Sequence, residues 1–148
     1  MGDEIIIPEP YWPQYAYIAK LAGAHVVSVD TREMGGRLTP STLRSAVGPR
    51  TRAVILNNPV NPTGVVYSRE EIMELLEVTD AHFVFDEVYD RITYTDRFCS
   101  ILQLDLPDAV RKRISYVNSF SKSFAMTGWR LGYAFVPDWL LELSLIHI

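Results

Sequence analysis

Three short stretches of this chain concentrate the groups that could do chemistry. Residues 57–64 read Asn-Asn-Pro-Val-Asn-Pro-Thr-Gly, residues 86–89 read Asp-Glu-Val-Tyr, and residues 119–122 read Ser-Phe-Ser-Lys. Lys122 stands out among them. Its neighbours are Ser, Phe, Met, Gly and Trp, with few charges, whereas most lysines lie on the solvated surface. A lysine amine attacks carbonyl carbon when its pKa is lowered, and desolvation or nearby positive charge lowers it. Arg130, later in the same segment, could supply such a charge.

Each stretch follows an apolar run of strand length. Strands are predicted over residues 5–7, 25–29, 52–56, 82–85, 114–117 and 131–136. Helices fall between them. One covers residues 15–22 and is closed by Gly23. A second opens at Thr39-Pro40-Ser41 and runs to about Val47, with Gly48-Pro49 as the stop. A third opens at a Ser68/Glu71 capping box and runs to about Val78, with Ile72, Leu75 and Leu76 on one face. Strands alternating with helices predict a single α/β domain around a mostly parallel sheet flanked by helices. Ligands bind beyond the carboxyl ends of such strands. The three polar stretches lie there, so three strands are expected to deliver them to one edge.

Composition sets limits on function. The chain has 148 residues, 48% of them hydrophobic and 22% charged, enough for one domain with a core. A net charge of −4, with no basic run, gives no footprint for nucleic acid. The three histidines are scattered and form no metal-ligand cluster. Cys99 is the only cysteine, which makes a reducing, cytoplasmic setting the default. No apolar run has the length of a membrane span, and the first residues lack the pattern of a signal peptide.

The segment from Ser119 to Tyr133 resembles the lysine signature of the class I aminotransferases, S-x-S-K, an aromatic, then M-[TA]-G-x-R-x-G. Asn57-Asn58-Pro59-Val60-Asn61-Pro62-Thr63-Gly64 matches that family's N-P-x-N-P-T-G loop, and Asp86-Glu87-Val88-Tyr89 its D-E-x-Y motif. All three occur in the family's order, and Pro10-Tyr11-Trp12 is also typical. The resemblance reaches to about Leu141. It implies the large domain of a fold type I enzyme dependent on pyridoxal 5′-phosphate (PLP), of which residues 1–142 are the central part.

The resemblance also implies roles. Lys122 holds PLP as a Schiff base and moves the proton between substrate Cα and cofactor. Asp86 faces the pyridine nitrogen and keeps it protonated. The other use of an aspartate here is a helix N-cap. Tyr89 and Asn61 share the cofactor's phenolic oxygen, although Asn61-Pro62-Thr63-Gly64 equally fits a plain turn. Ser119, Ser121 and Arg130 take the phosphate. Trp12 stacks on the pyridine ring, or else packs beside the prolines to close a loop. Trp12 and Asn61 are also placed against the substrate. Glu87 reads as structural, and Tyr11, Tyr15, Phe124 and Trp129 as core.

The family's smaller domain, its carboxylate-binding arginine and a glycine-rich phosphate helix are not matched within the chain. Residues 143–148 read like translated adaptor sequence beyond a natural frame, or else a genuine apolar tail. The implied parent enzyme is a homodimeric aminotransferase acting on an amino acid and a 2-oxo acid, and the chain alone is expected to be inactive. Two other functions fit the same residues: a PLP-dependent C–S β-lyase, against which Tyr89 argues because those enzymes tend to carry histidine there, and a non-catalytic PLP-binding module.

Overall fold

The computed structural model describes residues 2–145. Six strands form one sheet: β1 (Glu4–Glu9), β2 (His25–Asp30), β3 (Thr51–Asn57), β4 (His82–Asp86), β5 (Ile114–Ser119) and β6 (Gly132–Phe135). Their spatial order is β2-β1-β3-β4-β5-β6. The pairs joining β1 to β5 are parallel, and β6 runs antiparallel to β5. The chain crosses β1 between β2 and β3, which creates a switch point where adjacent strand ends diverge and leave a crevice.

The helices are set by local chemistry. Helix α1 (Gln14–Leu21) stops at Gly23, whose φ of +76° suits a residue without Cβ. Helix α2 (Pro40–Ala46) is capped by Thr39 and has Pro40 in its first turn. Helix α3 (Arg69–Leu76) carries the predicted capping box in both halves: Glu71 N–H donates to Ser68 Oγ at 3.3 Å, and Ser68 N–H to Glu71 Oε2 at 2.7 Å. Ile72, Leu75 and Leu76 are buried, as their spacing predicts. Two short helices follow, α4 (Asp108–Arg111) and α5 (Phe120–Ser123), then α6 (Asp138–Leu145). None of these three was foreseen. Leu143 and Ser144 continue α6, while residues 146–148 of the suspected tail lie outside the described residues.

Ile6, Val54, Phe83 and Phe85 from the central strands pack with Leu43, Ile72 and Leu75 from the helices, all virtually inaccessible to solvent. The rings of Phe83 and Phe85 stack at 6.0 Å. Burial falls off towards β6, whose four residues are all exposed. β6 nevertheless approaches β5 closely. A Cβ on Gly132 would come within 3.1 Å of the Asn118 carbonyl, so glycine lets β6 pair beside Ser119.

Candidate active site

The carboxyl ends of β1, β3, β4 and β5 open onto one cavity of about 350 Å³. Trp12, Asn61, Asp86, Tyr89, Ser119, Ser121, Lys122 and Arg130 all line it. Register places the strand ends side by side: Asn57 of β3 faces Asp86 of β4, and Asp86 faces Val117 of β5.

Asn57 fixes the first loop to the next strand. Its side chain donates to the Asp86 carbonyl at 2.8 Å and accepts from Asn61 N–H at 2.6 Å. Asn58, fully buried, accepts from Tyr67 N–H at 2.9 Å and donates to the Cys99 carbonyl at 3.3 Å. The loop is also a tight turn, with Val60 and Val65 bonded across it. Turn and site are therefore the same object here. Asn61 Nδ2 donates to the Tyr89 hydroxyl at 3.2 Å, which brings together two groups expected to share a ligand oxygen.

Asp86 is half-buried at the cavity floor. Burial pushes its pKa up, and two donors work against that. Tyr15 Oη donates to Oδ2 at 2.5 Å, and Val88 N–H donates to Oδ1 at 3.1 Å. The second bond is the side-chain turn of an Asx residue, and no helix starts at Asp86. Tyr15 was expected in the core. It lines the cavity instead, with Trp12 edge-on to its ring at 5.4 Å. Only its place three residues after Trp12, on the first turn of α1, could have signalled this. Replacing Tyr15 with Phe removes one donor to the carboxylate, so the Asp86 pKa should rise further. Carboxyl-carbon NMR titration of Tyr15→Phe checks this, and an unmoved or lowered midpoint would refute it.

Lys122 projects from α5 with its Nζ 5.8 Å from the centre of the Tyr89 ring, within the range of a cation–π contact. Ser119 caps the same turn, its hydroxyl accepting from Ser121 N–H at 3.0 Å and donating to the Leu131 carbonyl at 3.2 Å. Arg130 lies at the exposed mouth and donates to the Thr127 carbonyl at 2.9 Å. Ala125 and Arg130 both have φ of +54°, the only non-glycine residues in the left-handed region among those described. Such conformations cost about 1 kcal/mol or more each and cluster at functional sites. Phe124 and Trp129, expected in the core, are 54% and 73% exposed. Phe120 of the same segment is only partly exposed, its ring 5.5 Å from those of Phe124 and Tyr133.

The cavity thus has an anionic floor, a hydrogen-bonded Asn–Tyr pair on one wall, and two cations with two serines on the other. Among the described residues no group of His, Cys, Asp and Glu could hold a metal. No helix among them is long and apolar enough to cross a membrane.

A model of the family described as aminotransferase class I and II matches residues 1–145. The aspartate aminotransferase of Geobacillus stearothermophilus is 45% identical over 95% of this chain and 37% of its own length. Among solved structures, the aspartate aminotransferase from Thermus thermophilus with maleate superposes with a TM-score of 0.87 at 37% identity, over 95% of this chain and 37% of that one. The aromatic aminotransferase from Pyrococcus horikoshii gives 0.87 at 40% identity, over 95% and 38%. The chain therefore spans a little over a third of the length of the relatives it matches. It belongs to the class I and II aminotransferases.

Proposed function

We propose that this site belongs to a PLP-dependent aminotransferase that moves an amino group between an amino acid and a 2-oxo acid. One observation carries the proposal: a single cavity gathers an amine, a half-buried carboxylate and an Asn–Tyr pair on three adjacent strand ends.

The residues present fit the cofactor. The Asp86 carboxylate, held by Tyr15 and Val88, suits a protonated ring nitrogen. Asn61 and Tyr89 converge where a phenolic oxygen would be held. Ser119, Ser121 and Arg130 offer hydroxyls and charge for a phosphate, and Trp12 an aromatic face for the ring. When bound, PLP supplies an electron sink for a carbanion at the substrate Cα. The chain's own residues do the rest. Lys122 tethers the cofactor and then carries the proton at Cα. Asp86 keeps the ring nitrogen charged, and its burial strengthens that pairing. Trp12 and Asn61 flank the space left for substrate. The working protein is, on this reading, a cytoplasmic homodimer, as the resemblance implies.

Incubation with PLP followed by borohydride reduction and peptide mass analysis tests the assignment. The chain has three lysines, Lys20, Lys112 and Lys122. The adduct is expected on Lys122, and Lys122→Ala should abolish it. Equal labelling of all three lysines, or persistence of the adduct in Lys122→Ala, would overturn the proposal.

A further inference from the structure

Two turns meet at the mouth of the cavity, one carrying Tyr89 and one carrying Lys122. They come from different strands, β4 and β5, whose last backbone link is Glu87 N–H to the Val117 carbonyl at 3.0 Å, short of either tip among the described residues. What joins them is the residue after each. Ser123 Oγ donates to Asp90 Oδ1 at 3.0 Å. The other oxygen of Asp90, Oδ2, accepts from Asn118 Nδ2 at 3.1 Å.

Asn118 is itself buried and fully engaged. Its Nδ2 also reaches the Tyr116 hydroxyl at 2.5 Å, and its Oδ1 accepts from Ser119 N–H at 2.6 Å. Asp90 therefore grips both the end of β5 and the short helix beyond it. Its own turn is closed behind it, with Asp90 N–H donating to the Glu87 carbonyl at 2.9 Å. The next residue adds a third tie, since the Arg91 guanidinium lies 5.7 Å from the Phe124 ring centre. Among the described residues Asp90 makes no ion pair. Its two oxygens serve as acceptors for neutral donors.

We propose that Asp90 is a positioning residue whose two oxygens, accepting from Ser123 and Asn118, fix the Lys122 amine against the Tyr89 ring. The importance of that separation rests on the function proposed above; the clasp itself does not. Asp90 is not among the residues that line the cavity. It acts through Lys122 and Tyr89, each its neighbour by one residue or by one hydrogen bond and one residue.

The full chain, without cofactor, offers a direct reading. An NMR cross-peak between the Lys122 ε-methylene and the Tyr89 ring reports their contact. It is expected in the unaltered chain, lost in Asp90→Ala and in Ser123→Ala, and retained in Asp90→Asn. The asparagine can accept from Asn118 through its oxygen and donate to the Ser123 hydroxyl through its nitrogen. Covalent PLP capture at Lys122, relative to Lys20 and Lys112, should fall about tenfold in Asp90→Ala and recover in Asp90→Asn, as loss of alignment rather than charge requires. An unchanged cross-peak in both alanine variants overturns the clasp. Equal losses in Asp90→Asn and Asp90→Ala overturn it too, because charge would then be the cause. Should Asp90→Ala not fold, as judged by circular dichroism, Ser123→Ala decides the matter by removing a single oxygen. Failure of the unaltered chain to prefer Lys122 in PLP capture would count against the proposed function alone, since the cross-peak needs no cofactor.

Discussion

Glu87→Gln is expected to stabilise the chain by about 2 kcal/mol near pH 8 and to leave it unchanged or slightly weaker near pH 4. Glu87 is fully buried, with Oε1 accepting from Ile101 N–H at 2.7 Å and Oε2 without a hydrogen-bond partner among the described residues. Burial is the main force on its carboxyl, with a smaller contribution from the nearby Asp90 and Asp86 charges, and its pKa is pushed up to about 7 from 4.5. Below the lower value the group is protonated whether the chain is folded or not. As pH rises towards the upper value, the unfolded chain releases the proton and the folded chain keeps it, so stability falls. Above both values the full penalty is present, about 3 kcal/mol from the size of the shift. Glutamine removes the charge, and its unpaired amide takes back about 1 kcal/mol. Urea midpoints for both proteins near pH 4 and pH 8 check this. A difference that does not change with pH would show that Glu87 does not titrate as described.

Phe83→Ala should cost about 4 kcal/mol, a large share of the 5–15 kcal/mol that holds a typical domain together. Phe83 is inaccessible to solvent, the second residue of β4. Its ring stacks on Phe85, and the Arg113 guanidinium lies 5.9 Å from its centre. Arg113 in turn donates to the carbonyls of Leu76 and Thr79 at 2.6 and 2.8 Å, satisfying groups at the end of α3. Truncation therefore leaves a cavity and loosens the arginine that ties α3 to the sheet. Asp86 lies three residues along the same strand. Denaturant titration gives the loss directly, and a value below about 1 kcal/mol would place the core elsewhere.

All six strands could be read from the sequence because each is an apolar run bounded by Gly, Pro or polar residues. In β3 and β4 the burial that a parallel sheet demands writes itself into such runs; the runs of β2 and β6 are apolar although more exposed. α3 was legible through Ser68 and Glu71, a signal confined to four residues. α4 and α5 were not, because a helix of four residues has no periodicity to detect. α6 carries apolar residues without a capping box ahead of them. At the site, Lys122, Asp86 and Asn61 announced themselves by motif. Tyr15 did not, since its partner Asp86 is 71 residues away and only the pairing of β1, β3 and β4 brings them together. Asp90 was hidden for the same reason: its partners lie far along the chain, Asn118 on β5 and Ser123 on α5.

The exposed outer strand β6 bears on how the chain behaves in a tube. It lies at one end of the strand order, its residues are all exposed, and Tyr133 and Phe135 on it and Trp139 beyond it leave apolar surface uncovered. A strand in that position offers unused N–H and C=O groups as a template, and apolar neighbours reward any copy that adds to it. Self-association that rises with concentration is therefore the expected behaviour of the purified chain. Dilution lowers the rate of encounter, and cooling weakens the apolar attraction. A lysine introduced on β6 would do the work of both without touching the cavity wall.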